Sequence, residues 1–110
     1  MVKTNLFTGT LNLLILQSLR AGPLHGYGIG LWIRETSDGV LGVEEGQLYP
    51  ALHRLEKKGW IRPRKGKTQT GRSANFYRLT PAGLRHLEAE EAKWIKYSDA
   101  MRTVLDKAGS

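Results

Sequence analysis

The 110-residue sequence contains no cysteine. That excludes a disulfide framework, a thiolate metal site and a cysteine nucleophile, and it fits a reducing compartment. Histidine is scarce as well. His25, His53 and His86 fall on three different predicted helices, with no second nitrogen ligand at i+3 or i+4, so no metal and no other cofactor is expected. Long apolar runs are also missing. The richest, Leu11 to Leu16, is broken at Asn12 and followed by Gln17 and Ser18, far short of the roughly 20 residues that span a bilayer. Lys3 ahead of this run gives it a faint likeness to a secretory leader. No small-x-small cleavage site follows at Leu19 to Pro23, so the segment reads as a core helix of a cytoplasmic protein without a membrane partner. Acid is the last scarcity. Ten Asp and Glu stand against 17 Lys and Arg, a net charge of +7, which predicts attraction to a polyanion. Glu88, Glu90 and Glu91 read as a solvated helix face. With no carboxylate pair and no nucleophile beside a base, catalysis is not expected.

What is present is helical periodicity broken once by a hairpin. Leu11, Leu14, Ile15 and Leu19 recur at helical spacing, with Thr8 or Thr10 as cap, and predict a helix ending near Arg20 before Ala21-Gly22-Pro23. A second helix is predicted from His25 to about Ser37. Gly26, Gly28 and Gly30 within it each cost about 1 kcal/mol relative to alanine and point to close approach of another helix or of a ligand backbone. They are not a dinucleotide fingerprint, because no strand precedes them and the third glycine is misplaced. Glu44 and Glu45 open a third helix that buries Leu48, Leu52 and Leu55 and ends at Gly59. Pro50 is compatible with that helix only if hydrogen bonding starts late enough to put its missing N–H in the first turn. Residues 60–65 and 74–79 read as two strands around a polar, basic loop at 66–73. Thr80-Pro81 then starts a long helix to about Lys107.

The predicted fold is mainly α with a small β-hairpin: a winged helix-turn-helix plus a long C-terminal helix. Residues 1–80 would form the DNA-binding domain and residues 81–110 a dimerisation helix. On the third helix, with the leucines inward, Pro50, His53 and Lys57 point outward, flanked by Arg54 and Gln47 on one side and Tyr49 on the other. Glu56 falls nearer the buried edge. This donor-rich face suits a major groove: Gln47 can pair with adenine, Arg54 with guanine, and the Pro50 ring can touch a thymine methyl. Lys67, Thr68, Gln69, Thr70, Arg72 and Ser73 of the hairpin loop can bind phosphates, or Arg72 can enter a minor groove. The C-terminal stripe of Leu84, Leu87, Trp94, Ile95, Met101 and Leu105 has too little chain left to cover it in a monomer, which predicts a homodimer.

The run Gln47-Leu48-Tyr49-Pro50-Ala51-Leu52-His53-Arg54-Leu55-Glu56-Lys57-Lys58-Gly59 resembles the signature of the PadR family of bacterial regulators. His25-Gly26-Tyr27 and Tyr77-Arg78-Leu79-Thr80-Pro81-Ala82-Gly83 resemble it too, and the likeness covers nearly the whole chain. The single C-terminal helix is similar to the short subfamily. The resemblance implies a repressor that binds a near-palindromic operator on double-stranded DNA as a homodimer, with the last helix crossing to the partner. It also implies phosphate contacts from Tyr27 and Tyr49, and base contacts from the residues around Pro50. Some short members place a tryptophan mid-helix in a pore between subunits, where flat aromatic molecules stack. Trp94 falls there, with Leu13, Leu16 or Gln17 of the first helix as the opposing wall, so a small planar aromatic effector is a further expected partner. The competing reading of Trp94 is a plain interface anchor. The competing reading of the whole is a winged-helix protein-interaction module that binds no DNA.

Overall fold

The computed structural model describes residues 8–109; Lys3, the basic residue of the leader-like reading, lies outside them. Helix α1 covers Thr8–Ser18, so Thr10 sits inside its first turn rather than at a cap. Two turn hydrogen bonds, from the Leu19 and Arg20 amides to the Leu16 and Gln17 carbonyls, follow it. A two-residue strand β1, Leu24–His25, leads into helix α2, Gly26–Thr36. Helix α3 spans Glu45–Lys57, strands β2 and β3 span Ile61–Lys67 and Ser73–Leu79, and helix α4 runs over Pro81–Gly109.

The sheet has three strands in the order β1-β3-β2, all antiparallel. A plain hairpin was the expectation. Leu24 and His25 pair with Tyr77 and Phe76, and a strand of two residues is too short to show any alternation in sequence. The loop between β2 and β3 is correspondingly tighter than the expected 66–73. Thr68 organises it: its amide donates to the Arg72 carbonyl, its carbonyl accepts from the Gly71 amide, and its hydroxyl accepts from the Arg72 amide. Gly71 takes a positive φ of 83°, which glycine adopts without steric cost.

One core holds these elements together. Leu11, Ile15, Leu16 and Leu19 of α1 meet Ile29 and Ile33 of α2, Leu48, Ala51, Leu52 and Leu55 of α3, Ile61 and Tyr77 of the sheet, and Leu87 of α4. The start of α4 thus belongs to the same core as residues 8–80. Helix α3 ends in a Schellman arrangement: Trp60 N–H donates to the Leu55 carbonyl and Gly59 N–H to the Glu56 carbonyl, with Gly59 at φ 76°. Thr80 locks the next helix onto that end. Its amide donates to the Trp60 carbonyl at 3.0 Å and its hydroxyl to the Gly59 carbonyl at 2.7 Å, while the hydroxyl accepts from Gly83 N–H at 3.0 Å as the N-cap of α4. Gly83 has no room for a side chain, because a Cβ there would run into the Trp60 carbonyl.

The acids at the start of α4 do more than solvate a face. Arg20 reaches Glu88 at 3.4 Å and Glu91 at 3.3 Å, tying the turn after α1 to α4, and His86 lies 3.7 Å from Glu90. These pairs are half-exposed, so each contributes about 0–1 kcal/mol.

Candidate nucleic-acid interface

Helix α3 carries the outward set that the sequence predicts. Pro50, His53, Arg54 and Lys57 are exposed, Gln47 is half-buried, and Tyr49 is 45% exposed. Pro50 departs from expectation. It is the sixth residue of α3, past the first turn, so the helix lacks the hydrogen bond that its N–H would have given to the Gly46 carbonyl. The site is exposed, and water can take that carbonyl. Glu56 departs too: it is exposed rather than at the buried edge. It lies on the Tyr77 side of the helix, where its charge acts on the Tyr77 phenol together with Tyr49. Burial, first of all, pushes the Tyr77 phenol above its usual value of 10.0.

The His25-Gly26-Tyr27 run is where α2 meets α3. His25 is the N-cap of α2, its Nδ1 accepting from Gly28 N–H at 3.1 Å. A Cβ on Gly26 would sit 2.9 Å from the Tyr49 hydroxyl oxygen, so the glycine makes the bed for the tyrosine ring. Gly28 packs at ordinary distance on His25, and Gly30 has nothing near it. Of the three glycines, only Gly26 therefore shows the close approach expected of all. Tyr27, 68% exposed, stacks beside His25 with centroids 6.4 Å apart. Lys67 ends β2, Arg72 ends the loop, and both are exposed.

A separate cleft of about 520 Å³ opens between α1 and α4, lined by Asn12, Leu13, Trp60, His86, Trp94 and Tyr97 among others. Leu13 and Leu16 thus share a wall with Trp94. Gln17 does not; its Oε1 accepts from Arg20 instead. Sequence reasoning missed Trp60, His86 and Tyr97. The Trp60 and His86 rings stack at 3.6 Å and 14°, and Lys58 sits 5.1 Å over the Trp60 ring. Trp94 and Tyr97 pair at 5.9 Å. Asn12 Oδ1 is buried in the cleft wall and has no hydrogen-bond partner among the described residues.

The C-terminal stripe also needs revision. Leu87 is fully buried within its own chain, so it has no surface to offer a second one and is a core residue of the protomer. Trp94, Tyr97, Met101, Val104 and Leu105 are exposed and, at about 100° per residue, line one side of α4. Ile95 lies about 100° around from Trp94 and Leu84 about 80°, both exposed on a flank. Leu84 borders a second cleft of about 530 Å³ beside Arg20 and Pro23. No helix among the described residues is long and apolar enough to cross a membrane, and no group of three or more His, Asp or Glu among them is placed to hold a metal ion.

Three helices followed by a hairpin, with the third helix offering an exposed, largely basic face, make this a winged helix-turn-helix protein. Residues 15–89 match the family described as transcriptional regulator PadR-like, and the chain belongs to that family. It is similar to a transcriptional regulator from Clostridium thermocellum, at 29% identity and a TM-score of 0.77 over 86% of this chain and 92% of that one. It is also similar to a PadR family transcription regulator from a hypervirulent Clostridium difficile, at 29% identity and a TM-score of 0.75 over 86% of this chain and 97% of that one. An uncharacterised 37.1 kDa protein in a Streptomyces fradiae transposon is 46% identical over 91 residues, 83% of this chain. The chain spans only 25% of that relative's length.

Proposed function

We propose that this regulator is a cytoplasmic repressor, without enzymatic activity, that binds a near-palindromic operator as a homodimer and is released by a small planar aromatic ligand. The observation that carries the reading is the outer face of α3. Gln47, Pro50, His53, Arg54 and Lys57 lie together there with no acid among them, a pattern matched to base edges and phosphates rather than to water alone. Arg54 and Gln47 would read bases, with Pro50 and His53 packed in the groove. Tyr27, Tyr49, Lys57, Lys67 and Arg72 would hold phosphates.

The division of labour follows the core. Residues 1–80 form the DNA-binding unit and residues 81–110 the dimerisation helix, whose first two turns are seated in the protomer core through Leu87. Beyond that anchor the stripe of Trp94, Tyr97, Met101, Val104 and Leu105 supports pairing with a second copy. Two recognition helices related by a twofold axis are what a palindromic site requires. The aromatic lining of the cleft beside Trp94 supports a flat effector.

The test is binding to the DNA upstream of the coding region, read by fluorescence anisotropy over a salt series, against a scrambled duplex. A specific repressor binds tightly, loses affinity steeply with salt and prefers the upstream site by about 10³ or more. Equal weak binding to both duplexes would leave only a basic winged helix, whose partner is then a protein or an operator elsewhere. Adding riboflavin, a neutral planar probe with a ring N–H, should lower operator affinity of the wild type and leave Trp94→Ala unaffected.

A further inference from the structure

The hairpin carries more positive charge than its loop displays, and the strand register says where it sits. Ile61 pairs with Leu79 and Pro63 with Tyr77; Ile61 and Tyr77 are buried, so this is the core face of the sheet. Alternation along the strands puts Arg62 and Arg64, with their partners Arg78 and Phe76, on the opposite face. All three arginines are exposed. Arg62 stands directly opposite Arg78, where Cβ atoms lie about 5 Å apart and like charges repel. Residues 61–79 hold six Lys and Arg and no acid, and none of the three arginines makes an ion pair among the described residues.

The patch is continuous with the DNA-facing surface proposed above. On the next strand His25 pairs with Phe76 and meets its ring edge-on at 5.2 Å. His25 in turn stacks beside Tyr27 at the start of α2. A line of side chains therefore runs from the start of α2 across the outer sheet face to Arg64.

We propose that Arg62, Arg64 and Arg78 form a second phosphate-binding surface, which engages the backbone of the same duplex beside the groove that α3 enters. The inference rests on the DNA-binding reading and extends it. Guanidinium groups match phosphate oxygens in a two-pronged geometry. Arg62 and Arg64, two residues apart, are spaced about 7 Å along one edge of the sheet, which allows each its own phosphate. The Arg62–Arg78 repulsion, unfavourable in the free protein, is relieved when a polyanion lies across the pair.

The experiment compares the full-length wild type with the triple variant Arg62→Gln, Arg64→Gln, Arg78→Gln on the specific and scrambled duplexes across salt. Each lost phosphate contact lowers the slope of log K against log salt by about 0.9, so the slope should fall by about 2 to 3. Affinity should drop by the same factor on both duplexes, and the thermal midpoint should hold or rise because a repulsion is gone. A wild-type slope in the variant overturns the inference. Loss of preference for the specific duplex overturns it too, since those residues would then be reading bases. Should the triple variant melt early, Arg64→Gln alone, whose cross-strand partner Phe76 is uncharged, must still lower the slope by about 0.9; no change overturns the proposal. A wild type with no salt-dependent DNA binding would instead sink the underlying reading.

Discussion

Helices α3 and α4 each leave one face uncovered, and the two faces ask for different partners. Helix α3 completes its burial within the chain through Leu48, Ala51, Leu52 and Leu55, and what it exposes is mostly polar and basic. Water satisfies such a face in the free protein at little cost, and a polyanion does better by releasing counterions. Helix α4 buries Leu87 and then outruns its own domain, exposing Trp94, Tyr97, Met101, Val104 and Leu105. Water does not satisfy that face. Each such side chain gains about 1.5–3 kcal/mol on burial, and the gain depends little on salt. Under the proposed function, two helices of one chain would carry two kinds of recognition, one electrostatic and one hydrophobic, separable by ionic strength.

The largest effect that would break this contrast is on α4. Replacing Met101 and Leu105 together with glutamate should convert a dimer to a monomer in sedimentation, weakening association by about 10⁴-fold or more, because a symmetric dimer loses each burial twice. Far-UV circular dichroism should stay unchanged, because neither side chain contributes to the protomer core. A dimer that persists would mean the stripe is not the interface.

The next effects come from two glycines that differ in what a methyl group would strike. At Gly83 it would meet the rigid Trp60 carbonyl, and at Gly26 the movable end of the Tyr49 side chain. Gly83→Ala should therefore lower stability by about 1–3 kcal/mol, as overpacking does, seen as a reduced denaturation midpoint. Gly26→Ala should leave the midpoint nearly unchanged and weaken DNA binding by displacing Tyr49. The reverse pattern would refute the roles given to the two sites. On α3 itself, Arg54→Ala should reduce specific affinity by about 1–3 kcal/mol with folding intact, and it should erode preference for the specific duplex. Tyr49→Phe, which removes only a hydroxyl, should cost less and weaken both duplexes alike.

Much of this was legible in sequence because the elements are long and locally consistent. The leucine series of α3, Thr80-Pro81 at the start of α4, and the two strands of the hairpin each carry their own signal. What escaped was set by contacts between distant segments. Strand β1 exists only because Leu24 and His25 find Tyr77 and Phe76. The burial of Leu87 depends on where α1 lies. The Trp60–His86 stack joins a strand start to a helix turn 26 residues on, and no periodicity links them. Pro50 misled for the opposite reason: its local rule is sound, but an exposed helix face lets water replace one missing hydrogen bond. Tyr97 escapes a stripe that passes from Trp94 to Met101, although it lies between them on the same side of α4.

The smallest expected effect sharpens the contrast from beneath α3. Tyr77 is buried under the flank where Tyr49 and Glu56 sit, and its phenol is held above the usual 10.0, chiefly by burial. The native state therefore holds that proton more tightly than the unfolded chain, whose tyrosine ionises near pH 10. This contribution to stability is complete below about pH 10 and is lost as pH rises from there through the folded value. Urea midpoints measured between pH 8 and 11 should fall more steeply for the wild type than for Tyr77→Phe. The loosening should appear first in the amides of α3 and the sheet, not in the distal half of α4. Equal pH dependence in the two proteins would show that this phenol does not shape the alkaline limb.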